Sequence, residues 1–174
     1  MEPGPVMRIG PRLALVLFVG LTLHLSLFAT IRVGAVRPDV LLLMAVAGGI
    51  AGGPERGAVV GFAAGIVADL FLHTPLGLSA MAFSLVGFAV GTLQSSVIRA
   101  AWWIPPATTC LASTGGILLY ALLGALIGRP EFLEPRVLMV AAGVGAANAV
   151  LAPAVVPVMA WALPRETDRS FASR

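Results

Sequence analysis

Apolar residues run together along this chain for stretches longer than the two-residue alternation of a strand or the one-sided stripe of a surface helix produces. Six such runs stand out, at residues 13–31, 38–53, 57–72, 75–93, 104–128 and 137–163. A helix crosses the hydrocarbon core of a bilayer with about 20 apolar residues. The pattern therefore predicts an all-α integral membrane protein, a single transmembrane domain over residues 1–174 built as a six-transmembrane-helix bundle.

The punctuation between the runs assigns their connections. The first run, 13–31, follows Arg8 and Arg12 and exceeds the roughly 7 to 15 apolar residues of a signal-peptide core, which predicts a span that is kept. Runs 38–53 and 57–72 are short, and Pro54-Glu55-Arg56 reads as the tight turn of a helical hairpin. A re-entrant hairpin would leave Glu55 and Arg56 in hydrocarbon at a cost of about 2.5 to 3.5 kcal/mol per charge, so full crossing is expected. Thr74-Pro75 predicts the start of the fourth helix, with threonine capping and proline in the first helical position. Trp102 and Trp103 read as interfacial anchors, and Pro105-Pro106 opens the fifth helix. Pro153 and Pro157 each remove a hydrogen bond inside the sixth, where a kink is expected.

Composition narrows the class. Charged residues make up 11% and hydrophobic ones 59%, against roughly 25% charged in a soluble domain. Six spans use about 120 residues and leave roughly 54 for tails and loops, too few for a separate catalytic domain. The net charge of +3 comes from arginines that flank apolar runs and form no basic stripe with aromatics, so no nucleic-acid partner is expected. With the N-terminus inside, seven arginines lie on the cytoplasmic side (Arg8, Arg12, Arg56, Arg99, Arg165, Arg169, Arg174) against four outside (Arg32, Arg37, Arg129, Arg136). Both termini are thus expected in the cytoplasm.

Polar residues within or beside the spans are the candidates for function. Gly57, Gly61 and Gly65 recur every fourth residue and form a small-residue stripe that ends on Asp69, so that carboxylate should face protein, near the outer end of its span. His73 comes one turn later, and the expected topology brings Arg37 and Asp39 to the same end. One reading of this cluster is a docking surface or small-molecule site, with Asp69 held by Arg37 or by backbone donors at the start of the fourth helix. The other is structural, with Asp69 tying the second, third and fourth helices together. His24 in the first span is open to a relay or ligand role, or to a hydrogen bond with a neighbouring helix. Asn148 either satisfies backbone groups loosened by the expected kink or meets a substrate. Gly87 and Gly91 in the fourth run, and Gly48, Gly49, Gly52 and Gly53 in the second, read as close helix packing. The single cysteine, Cys110, lies in an apolar run and reads as packing.

Phosphate-cradling, metal-spacing and nucleophile-elbow motifs are missing from the sequence, and its spans hold no paired carboxylates. No cofactor, metal or catalytic residue is expected. Enzymatic and proton-coupled transport readings are correspondingly weak.

The ordered landmarks Arg37-Pro38-Asp39-Val40-Leu41-Leu42-Leu43, Gly61-Phe62-Ala63-Ala64-Gly65-Ile66-Val67-Ala68-Asp69-Leu70-Phe71, Thr74-Pro75-Leu76-Gly77-Leu78 and Ser84-Leu85-Val86-Gly87-Phe88 resemble the rod shape-determining protein MreD family. The resemblance spans residues 37–92 and implies a non-catalytic component of the bacterial elongation machinery in the cytoplasmic (inner) membrane. It implies that such a protein, surrounded by membrane lipids, works beside MreC, a single-span protein with an extracytoplasmic coiled coil. RodA and a class B penicillin-binding protein are implied as further partners in sidewall peptidoglycan synthesis and cell shape. The family is similar in fold to the substrate-binding components of energy-coupling-factor transporters, so the alternative is a small-molecule-binding subunit of such a transporter. On the elongation reading, Arg37, Asp39 and Asp69 are the expected polar determinants. The glycine stripes then offer packing positions for an additional helix.

Overall fold

The computed structural model describes residues 10–26, 38–71, 75–96, 103–129, 132 and 134–163. Among them are six α-helices: α1 (Pro11–Ser26), α2 (Val40–Gly52), α3 (Pro54–Phe71), α4 (Leu78–Ser96), α5 (Ile104–Leu126) and α6 (Arg136–Ala162). Of these, α5 and α6 are long and apolar enough to cross a membrane by length and composition. They pack antiparallel as the long arm of the molecule.

At the centre stands α2, which packs against every one of the other five helices. Each of its residues from Val40 to Ala51 is buried. One side, Leu41, Leu42, Ala45, Val46 and Ile50, meets Ala64 and Ala68 of α3 and Ala82, Phe83, Val86 and Val90 of α4. The other side, Met44, Ala47 and Ala51, meets Leu13 and Val16 of α1, Val60 of α3, and Met159 and Ala162 at the end of α6. A helix hydrophobic all round needs cover on every face, from neighbouring helices or from lipid, and for α2 the other helices supply it. In lipid the gain on covering it is close packing more than release of water, because acyl chains are as apolar as leucine.

Two helix boundaries differ from those read in the sequence, and both differences have a backbone cause. Pro54, Glu55 and Arg56 are not a turn. They form the first turn of α3, and the reversal is made at Gly53 alone, which sits at φ 85° and donates its N–H to Gly49 O at 3.0 Å. Proline suits that first position because its missing donor would be unpaired there anyway. The fourth helix begins at Leu78, not at Pro75. Residues 75–77 form a turn closed by Leu78 N to Pro75 O at 3.1 Å, with Gly77 at φ 94°.

Candidate functional site

The glycine stripe sets the position of Asp69. A methyl group added to Gly57 would fall on the carbonyl of Gly87, one on Gly61 on the carbonyl of Phe83, and one on Gly65 on the backbone of Ala80. Hence α3 and α4 touch backbone to backbone along three turns. Gly87 and Gly91 answer from α4, the first against Gly57 and the second against Gly53 and Pro54. Glycine is the residue that allows this approach.

One turn beyond Gly65, the buried carboxylate of Asp69 reaches the open N-terminus of α4. Its Oδ2 accepts from the backbone N–H groups of Gly77 at 2.8 Å and Ala80 at 3.3 Å, and Oδ1 accepts from Ser79 at 3.1 Å. Helix N-termini expose donors with no partner in the helix, and they carry partial positive charge. A carboxylate supplied from the preceding helix answers both. Asp69 thus meets the backbone donors at the start of the fourth helix that the sequence offered it, while Thr74, the expected cap, lies outside the described residues.

Asp39 does for α2 what Asp69 does for α4, here within its own segment: Oδ1 accepts from Leu42 N–H at 3.0 Å. The two capped helices run parallel, since Gly49 abuts Gly91 while Gly87 abuts the carbonyl of Ala45. Both carboxylates therefore sit at the same end of the bundle, each committed to a different helix start.

A second polar centre joins α2 to the long arm. The side-chain amide of Asn148, fully buried in α6, donates to the Asp39 carbonyl at 3.1 Å and to Ser113 Oγ of α5 at 3.0 Å. The sequence reading placed Asn148 on its own kinked backbone or on a substrate; it instead stitches two other helices. Close by, Thr114 Oγ1 donates to the Cys110 carbonyl at 2.9 Å and the Ala141 carbonyl at 3.3 Å, and a methyl on Gly145 would strike that hydroxyl. Among the described residues, Asn148 Oδ1, Thr109 Oγ1 and His24 Nδ1 are buried without a hydrogen-bond partner. Ser113 and Thr109 escaped the sequence reading. Their signal was the stripe Thr109, Ser113, Gly116 at four- and three-residue intervals, which places them on one face of α5.

Of the remaining candidates, Arg37, His73 and Trp102 lie outside the described residues. Trp103 is exposed beside the start of α5. Cys110 is half-buried and free. Arg12, read only as a flanking charge, lies 5.1 Å above the ring of Trp161 and joins the start of α1 to the end of α6. No group of three or more His, Cys, Asp or Glu side chains that could hold a metal occurs among the described residues. The expected landing strip for an extra helix is not vacant: α4 fills the stripe of Gly57, Gly61 and Gly65.

Five apolar helices around a buried sixth, two of the five of membrane-crossing length, with polar side chains turned inward onto helix ends, are the architecture of a helical membrane-protein bundle. The rod shape-determining protein MreD family matches residues 7–159, most of the chain and well beyond the landmarks of the sequence reading, and the chain belongs to that family. It is a cell-shape-determining membrane protein. Neither the curated proteins nor the solved structures contain a match to it.

Proposed function

We propose that this protein is a non-catalytic, multi-pass component of the cell-elongation complex that organises sidewall peptidoglycan synthesis by holding an MreC-like protein and the synthases RodA and a class B penicillin-binding protein in one membrane assembly. The observation that carries this reading beyond the family is how its polar side chains are used. Asp69 and Asp39 cap α4 and α2, and Asn148 joins α2 to α5. Polar groups committed in this way, the two carboxylates to backbone donors and the Asn148 amide to a backbone carbonyl and a hydroxyl, tie the helices into one scaffold.

With the α3 stripe covered by α4, a partner's helix packs on the outer apolar faces, where Phe62, Met81, Leu85 and Phe88 are exposed. The end that carries Asp39 and Asp69 is the outer one on this reading, the side on which an MreC-like partner projects its soluble part. Arg37 and His73 belong to that end by sequence.

Affinity purification of the tagged chain from its own membranes in mild detergent, with mass spectrometry of what accompanies it, tests the proposal. Enrichment of an MreC-like protein and peptidoglycan synthases is expected. Recovery of ATPases and a transmembrane coupling subunit in their place would replace it with the transporter-subunit reading.

A further inference from the structure

The amide of Asn148 is oriented by chemistry. A carbonyl only accepts, so the atom 3.1 Å from Asp39 O is Nδ2, and the same nitrogen serves Ser113 Oγ. That leaves Oδ1 with no donor among the described residues, on a side chain with no exposure at all. Thr109 lies one turn before Ser113 on the same face of α5, is equally buried, and its Oγ1 is likewise without a partner among the described residues. Since α5 and α6 are antiparallel and Ser113 meets Asn148, the α6 position level with Thr109 is Ala152. Its buried methyl offers no hydrogen bond and fills little space.

An acceptor and a hydroxyl, both orphaned and both inside a bundle that lipid surrounds, are the circumstances in which proteins retain an internal water. We propose that α2, α5 and α6 enclose one ordered water, which accepts a hydrogen bond from the Thr109 hydroxyl and donates one to Asn148 Oδ1. The water is then a structural ligand of the fold. It completes the polar centre that fixes the start of α2 against the long arm.

Thr109→Val tests the proposal through the sign of its effect. Valine keeps the shape of threonine and removes the hydroxyl. In a dry site the substitution deletes an orphaned polar group and raises the thermal midpoint of the full chain in detergent. In a hydrated site it strips the water of a partner and lowers the midpoint, by roughly 2–4 °C. The expected result is the lowering, together with non-additivity: the double variant Thr109→Val, Asn148→Leu should lose less than the sum of the two single losses, because both act on one water. A high-resolution structure should show density within hydrogen-bond reach of Thr109 Oγ1 and Asn148 Oδ1. An unchanged or raised midpoint for Thr109→Val, losses that simply add, or empty density overturns the proposal. If Asn148→Leu yields no folded protein, the sign for Thr109→Val and the density decide.

Discussion

Asn148 and Asp39 are 109 positions apart in sequence and 3.1 Å apart in space, the side-chain amide of one on the backbone carbonyl of the other. The contact fixes where α2 begins. The Asp39 carbonyl also accepts the first hydrogen bond of that helix, from Leu43 N–H at 2.9 Å, so α6 grips α2 at the residue that opens it.

Asn148→Ala should consequently lower stability by about 1–3 kcal/mol, the usual loss when a buried hydrogen-bonding partner is removed. Ser113→Ala, which removes one of the two acceptors, should cost less. Thermal unfolding of both variants in the same detergent checks the order, and equal midpoints for Asn148→Ala and the parent would remove this contact from the account.

Asp69→Ala strips an acceptor from Gly77, Ser79 and Ala80 together. Loss of a helix cap costs about 0.5–2 kcal/mol, and burial of the freed donors puts this site at the upper end. Asp69→Asn should fall between alanine and the parent. Its one carbonyl oxygen can serve Gly77 and Ala80, while its NH2 then confronts the Ser79 N–H. Yield and monodispersity after purification read the series, and a normal profile for the alanine variant would contradict the capping role.

Glycine positions offer a built-in control. Gly61→Ala drives a methyl into the Phe83 carbonyl and forces α3 away from α4, whereas a methyl on Gly115 meets nothing within 4 Å. Gly61→Ala should reduce stability and folded yield. Gly115→Ala should leave them unchanged or gain up to about 1 kcal/mol from helix propensity. Similar behaviour of the two variants would show that close approach is not what selects glycine on α3.

Gly77→Ala should cost about 1–2 kcal/mol, because a side chain is strained at φ 94° even where there is open space around it. Its N–H and the Asp69 carboxylate act together, so the loss in Gly77→Ala, Asp69→Ala should fall short of the sum of the single losses. A double-mutant cycle on thermal midpoints measures the shortfall; simple additivity would separate the turn from the cap.

What could be read in the sequence was whatever depends on neighbours along the chain. The apolar runs gave the helices, Pro105-Pro106 the start of α5, and the four-residue spacing from Gly57 to Asp69 the face on which the carboxylate lies. Asp69 on the backbone donors at the start of α4 was one of the readings that the glycine stripe offered, whereas the local Thr-Pro signal put that start at residue 75 and not at Leu78. Similarly, Pro54 looked like part of a turn because Gly53 alone completes the reversal. Asn148 was noticed as polar, yet its partners belong to α2 and α5, and pairings at such separation leave no periodic trace. Ser113 and Thr109 were overlooked since small hydroxyl residues scarcely interrupt an apolar run.

Because α2 is walled in by all five other helices, the order in which the ribosome delivers the chain runs counter to the order in which the bundle can close. On the proposed multi-pass arrangement, the centre is synthesised second and waits in the bilayer for its last wall, α6, to be inserted. Until then the start of α2 lacks Asn148 and one side of its core stays open to lipid or to the insertion machinery. A truncation before α6 would therefore strand an unassembled intermediate, the form that membrane quality-control proteases remove.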